Sequence, residues 1–316
     1  MNSYIIESWA SVGLDFDPWS YSRAEKHGIL LSIFKHLNML AVLELPPSDV
    51  LDFCLDIESL YSDVPYHSFN HAVDVVVKLY YVLNDLQASA YLASYDIASL
   101  IISGLCHDAG HPGLNNLFQK NANTKLAQRY PNAVLERYSM DLAEEYIKKH
   151  RLFRNVENLR DPIIRTAILN TDMTRHFEVV EECKTLRATR RLNVRRSISM
   201  SDALLDSSQR QSLIGIILHA VDVFNPVLPW PMCKKWSDLM NVESFRQGEL
   251  EKALSLPISP NMDRETTDQR QVSLDFGNII IRPFFTELVS LFPVEDLLLP
   301  ALEENLQRWS RLSSDT

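Results

Sequence analysis

Glycine is scarce, with eight in 316 residues. Few positions can therefore take the left-handed backbone that tight hairpin turns demand, which favours helices over paired strands. Cysteine is scarcer still. Cys54, Cys106, Cys183 and Cys233 stand far apart with no C-x-x-C pair, so no disulfide framework is expected and free thiols in a reducing compartment are. Positive charge is in deficit, with 31 Lys and Arg against 41 Asp and Glu and a net charge of −10. That balance argues against binding a nucleic acid polymer. It leaves room for a small anionic substrate, because a bound metal reverses the local sign. Long apolar runs are missing too: those near Ile97–Cys106 and Leu213–Val221 are too short and too interrupted to cross a bilayer. No signal-peptide pattern opens the chain, and the expected location is the cytoplasm, with access to the nucleus.

What the chain does have is helical periodicity. Apolar residues recur at three- and four-residue spacing over His27–Leu40, His71–Leu86, Ile97–Cys106, Met140–Lys149, Ile163–Asn170, Leu213–Val223 and Ile279–Leu291. Strand-like alternation is rare, and prolines such as Pro46, Pro112, Pro162, Pro226 and Pro260 punctuate the pattern. The fold class this predicts is all-α, one compact multi-helix catalytic domain over 1–316. The Arg- and Ser-rich stretch Lys184–Arg210 is predicted to be a mobile surface loop, with Ser197 or Ser199 as sites for kinase action.

Two His-x-x-x-His pairs carry the chemistry, His67/His71 and His107/His111. Residues four apart share a helical face, so each pair can aim at one point. Asp108 follows His107, and Asp222 lies in an apolar helical stretch where a carboxylate is costly unless paired or metal-bound. One such pair is weak evidence; two pairs with a His-Asp doublet and a buried-looking Asp are stronger. Imidazole nitrogen with carboxylate oxygen suits zinc, manganese, iron or magnesium, and two such ions sharing a carboxylate make a hydrolytic clamp on phosphate oxygens. His27, His36, His150 and His176 are read as structural, His219 as either, and Trp236 as core.

At these residues the chain resembles the class I cyclic-nucleotide phosphodiesterase catalytic domain, an HD-type metal phosphohydrolase. Tyr66-His67 with His71-Ala72 and Asp74-Val75 is similar to the family's YHNxxHAxDV signature, and His107-Asp108 with His111-Pro112-Gly113 to HDxxHPG. Val134-Leu135-Glu136 resembles the start of VLENHH, Thr171-Asp172-Met173 with His176 resembles TDMxxH, Asp222 with Asn225-Pro226 resembles ADxxNP, and Ile258-Ser259-Pro260 with Asp263 resembles ISPxxD. The order of these motifs, from about Tyr61 to Phe292, is what makes the likeness specific.

The resemblance implies roles. His71, His107, Asp108 and Asp222 would bind a first ion, Zn2+, and Asp108 would bridge to a second, Mg2+ or Mn2+, whose waters are held by His111, Glu136 and Thr171. A hydroxide between the ions would attack a 3′,5′-cyclic nucleotide, cAMP favoured over cGMP. His67 would protonate the departing O3′ as general acid, giving the 5′-nucleoside monophosphate. Tyr66, Asn225 and Phe276 would line the substrate site. Homodimer formation is compatible with this reading, and no membrane partner is expected. Two other readings share some of the motifs: another HD-type nucleotide phosphohydrolase, and a catalytically dead relative that binds a nucleotide or a protein.

Three departures stand out. Tyr138 and Ser139 replace the histidine pair after Glu136, and Gly110 replaces an Asp before His111. Members commonly place a base-reading Gln three residues before the clamp Phe. Counting from Pro260 and from Pro283 puts Ser273 at that position, and Gln271 could serve only through a two-residue shift.

Overall fold

The computed structural model describes residues 13–154, 162–195, 205–292 and 297–312, and every regular element among them is helical. The longer helices are α1 (Arg23–His36), α2 (Pro47–Glu58), α3 (Phe69–Asn84), α4 (Ser94–Cys106), α5 (Val134–Lys149) and α6 (Pro162–Leu169). They continue as α7 (His176–Arg195), α8 (Ser207–Asp222), α9 (Trp230–Ala253), α10 (Gln269–Asp275), α11 (Arg282–Val289) and α12 (Leu298–Arg311). Local chemistry sets several starts. Ser22 and Glu25 cap each other's backbone at α1, and Asp206 and Gln209 do so at α8. No helix among the described residues is long and apolar enough to cross a membrane, and all four cysteines are buried free thiols.

Four helices form the centre: α3, α4, α6 and α8 pack against one another. Their facing sides are Val73, Val76, Leu79, Leu100, Ile101, Ile168, Ile214 and Ile217, all fully or almost fully buried. Gly104 allows the α3–α4 contact, since a Cβ there would lie 2.4 Å from Leu79 Cδ1. This packing positions the chemistry at helix ends. His71 is in the first turn of α3, His107 caps the C-terminus of α4, and Asp222 ends α8.

The expected loop over Lys184–Arg210 is helical at both of its ends, and residues 196–204 lie outside the described residues. Residues 184–195 continue α7, and Ser207–Arg210 is the first turn of α8. The reason is packing: Val179, Val180, Cys183 and Leu186 are buried, on one face, against α8 and α11. Arg187 pairs with Glu287 of α11 at 2.8 Å. Of the basic residues that suggest a loop, Lys184, Arg187, Arg190, Arg191 and Arg195 are on this helix. Ser197 and Ser199 lie outside the described residues.

Of the other histidines, His36 is exposed and His27, His150, His176 and His219 are buried or half-buried. His27 meets Glu58 at 2.7 Å and His150 meets Asp56 at 2.5 Å. His219 Nε2 lies 2.9 Å from His176 Nδ1, both rings buried. Burial, with the nearby His176, pushes His219 down from its ordinary 6.5 to about 4. The unfolded chain therefore takes up this proton at a higher pH than the folded protein, and stability is lost as pH falls from 6.5 towards 4. Thermal melts of chelator-treated protein should show Tm falling across that window. His219→Gln should flatten the fall, and an equally steep fall in the variant would contradict this assignment.

Candidate active site

The three helix ends bring His71, His107, Asp108 and Asp222 together, with one ligand atom from each within 4.8 Å of the others. Asp222 Oδ1 is 3.0 Å from His71 Nε2 and 3.2 Å from His107 Nε2. Asp108 Oδ2 is 3.1 Å from His107 Nε2 and 3.6 Å from His71 Nε2. His107 Nδ1 is 2.8 Å from the Gly104 carbonyl. That contact requires the proton on Nδ1 and leaves Nε2 as the lone-pair nitrogen facing the cluster.

These residues fit a cation. The two Nε2 atoms lie 3.3 Å apart, a separation at which converging lone pairs repel unless a proton or a metal lies between them. Asp108 Oδ2 is buried and makes no hydrogen bond, which is costly for a carboxylate oxygen. Burial works against ionising Asp222, yet the charge and hydrogen bonds of His107, with His71, hold its carboxyl well below the usual range. Two imidazoles and two carboxylates are a donor set for zinc, manganese, iron or magnesium.

Beside this cluster stands a second one, His67, His111 and Glu243. His67 Nδ1 bonds Glu243 Oε1, while Glu243 Oε2 accepts from the backbone N–H of Tyr66 at 2.8 Å and of His67 at 3.2 Å. Burial alone would depress the His67 pKa, but the charges of Asp108 and Glu243 and the Glu243 bond outweigh it and raise it to about 8. His111 stacks on His67 with ring centroids 3.9 Å apart. Burial and the neighbouring His67 push His111 down to about 3, so it is neutral, and its Nδ1 accepts the Gly113 N–H at 3.1 Å.

Glu136 accepts two bonds from Asn116 Nδ2, at 3.0 and 2.9 Å, and burial raises its pKa to about 7 against the pull of those bonds. Thr171 is buried, and its hydroxyl donates to the Ile168 carbonyl at 2.8 Å. The departures at Gly110, Tyr138 and Ser139 prove to be neighbours. Gly110 has φ +79°, and a Cβ there would lie 2.6 Å from Tyr138 Cε1, while Ser139 Oγ donates to the Ala109 carbonyl at 2.8 Å. Tyr138 and Ser139 together brace the turn that carries His107 and His111.

A cavity of about 340 Å³ opens from this end. Tyr66, His67, Asp222, Asn225 and Trp236 line it, with the Trp236 ring 5.7 Å from that of His71, and Ser237, Asn241, Ser273 and Phe276 line it too. Asn225 Nδ2 donates to Tyr66 Oη at 2.5 Å. Trp236, read from sequence as core, is fully buried and also faces this space. Gln271 is not among the lining residues. It is exposed, and its amide donates to Asp275 at 2.9 Å. A π-helical stretch, Phe276–Ile281, does offset the register of this helix, but the offset leaves Ser273 and Phe276 facing the cavity and Gln271 outside.

Glu243 was not singled out from sequence. Its signal was present: Trp236, Met240, Glu243, Gln247 and Glu251 recur at helical spacing, and all but the half-buried Met240 are buried. A carboxylate on such a stripe needs a partner, the same reasoning that marked Asp222.

The comparisons agree with this geometry. Residues 66–301 match the model of the 3′5′-cyclic nucleotide phosphodiesterase family. Mouse 3′,5′-cyclic-AMP phosphodiesterase 4C is 28% identical over 287 residues, covering 88% of this chain and 41% of its own length. Human high affinity cGMP-specific 3′,5′-cyclic phosphodiesterase 9A is 27% identical, covering 94% of this chain and 49% of its own. The chain thus spans less than half the length of either relative. The crystal structure of the phosphodiesterase domain of the RhoPDE fusion protein from the choanoflagellate Salpingoeca rosetta superposes with a TM-score of 0.85 at 26% identity, covering 96% of this chain and 97% of that one. With its metal-binding geometry, its histidine–glutamate pair and a family match over most of its length, the chain belongs to the 3′5′-cyclic nucleotide phosphodiesterase family.

Proposed function

We propose that this chain hydrolyses 3′,5′-cyclic nucleotides to 5′-nucleoside monophosphates, with His67 as general acid. The observation that carries this reading is the placing of the four-residue ligand cluster and the His67–Glu243 pair at the same end of one largely apolar cavity. His71, His107, Asp108 and Asp222 would hold Zn2+. Asp108 would be shared with a second ion, Mg2+ or Mn2+, whose water shell would be supported by His111, Glu136 and Thr171. Bound there, divalent cations neutralise charge that builds on the phosphoryl oxygens and lower the pKa of water.

The chain's own residues do the rest. Glu243 fixes the His67 ring through Nδ1, leaves the other ring nitrogen for the substrate, and keeps the imidazolium populated at neutral pH. The Tyr66 and Asn225 side chains hold each other at the cavity wall. The apolar remainder, with Phe276 and Trp236, suits a heterocyclic base better than a bare phosphomonoester, which favours this reading over other HD-type phosphohydrolases. At the position where the family commonly has Gln stands Ser273, and its hydroxyl, like that of Ser237, donates and accepts alike. Both nucleotides are therefore substrates in this account, with cAMP the first to assay.

Protonation of O3′ by His67 fixes which ester bond breaks. Phosphorus NMR of the reaction should show the 5′-monophosphate alone. A 3′-monophosphate would mean that the proton is delivered on the other side, and would remove His67 from its role.

A further inference from the structure

One wall of the cavity is built by α9 and α10, and the polar groups around the cavity differ in how far they are already engaged. Asn225 gives its amide to Tyr66, and Asn305 gives its amide to the carbonyls of Pro226 and Leu228 at 2.9 and 2.7 Å. Ser237 and Ser273 lie Oγ to Oγ at 3.2 Å, and Gln269 Nε2 donates to Ser237 Oγ at 3.0 Å and to Asp238 at 2.7 Å. Asn241 is different. Its Nδ2 is buried and has no hydrogen-bond partner among the described residues. A buried amide donor in that state is destabilising, and no hydrogen bond of that nitrogen anchors the side chain. Asn241 is four residues from Ser237 on α9, so the two share a face, and both line the cavity.

The geometry points to Asn241, next to the Ser237–Ser273 hydroxyl pair, as the side chain that reads the hydrogen-bonding edge of the bound base. This rests on the hydrolysis proposed above. A carboxamide offers one acceptor and two donors, the set needed to meet a purine edge that carries a donor beside an acceptor. Adenine and guanine present that pair in opposite senses at positions 1 and 6. The Asn241 Nδ2 has no partner among the described residues that would fix the amide in one orientation, and the adjacent hydroxyls can rotate with it. The same wall therefore meets either purine. The carboxamide comes from α9, while the α10 position where the family commonly has Gln holds only a hydroxyl.

The test is steady-state kinetics of the full chain with cAMP, cGMP and the cyclic monophosphate of unsubstituted purine riboside, which lacks the 6-amino group. The wild type should show a KM about tenfold lower for cAMP than for the purine riboside compound, a difference of about 1.4 kcal/mol. In Asn241→Leu, KM for cAMP and for cGMP should rise about tenfold, the distinction between cAMP and the analogue should vanish, and kcat and metal content should stay within about twofold. Should the Leu variant not fold, Asn241→Met serves the same comparison. A variant that keeps the wild-type KM values and still distinguishes the analogue would overturn the assignment while leaving the proposed hydrolysis intact. Absence of wild-type turnover on both natural nucleotides would overturn both.

Discussion

Replacing His67 with Asn should lower kcat by a factor of roughly 10²–10⁴, the usual worth of a positioned general acid, while metal content is unchanged. Asn keeps a donor for Glu243, which is only 6% exposed and would otherwise keep its two backbone N–H bonds but bury Oε1 without a partner. Folding should therefore survive, and the loss is chemical. The wild-type pH profile carries a second signature. His67 acts only when protonated, so activity falls as pH rises through its pKa. Burial lowers that pKa, and the charges of Asp108 and Glu243 raise it to about 8. Cations on Asp108 remove part of that rise and leave the Glu243 part, so the alkaline limb should fall between 6.5 and about 8. In His67→Asn this limb should disappear. A kcat within threefold of wild type, or an unchanged limb, would exclude His67 as the acid.

Asp222→Ala should fail differently. Asp222 Oδ1 is the one oxygen within 3.0–3.2 Å of both His71 Nε2 and His107 Nε2, so its loss takes away a ligand atom and leaves two imidazole nitrogens converging with less negative charge. Metal content should drop, and kcat/KM should fall by at least the order of 10²–10³ that loss of a single electrostatic stabiliser costs. Elemental analysis beside the assay separates the two variants: His67→Asn keeps metal and loses turnover, Asp222→Ala loses both. Retained metal with near-normal turnover in Asp222→Ala would remove this residue from the ligand set.

The sequence carried much of this because helical periodicity and ligand spacing are local. Most of each predicted periodic stretch is helical, although His27–Leu40 runs past the end of α1 through a turn at Leu37 and Asn38 into the short helix Met39–Val42, and His71, His107, Asp108 and Asp222 meet because three helix ends converge, which the ordered motifs implied but no spacing within one helix required. The failures have physical causes. Residues 184–195 read as loop because their charges outweigh the apolar Val179, Val180, Cys183 and Leu186 stripe, although that stripe decides the packing of α7. Glu243 was overlooked because its partners, His67 and the Tyr66 N–H, are more than 170 residues away. Gln271 was a matter of register. A π-helical stretch can absorb an offset that a regular helix cannot, yet here it left Ser273 inward and Gln271 in solvent. Asn241 carried no local signal, since a single Asn on a long amphipathic helix becomes informative only when its amide is seen to lack a partner.

If the proposed function holds, the ligand cluster and the His67–Glu243 pair act together on a cyclic phosphodiester. Turnover of cAMP and cGMP in parallel, with Mg2+ or Mn2+, before and after chelation, tests it most directly. The account predicts release of 5′-AMP and 5′-GMP that stops on chelation and returns when metal is restored. No turnover of either nucleotide by protein carrying two metal ions per chain would contradict it.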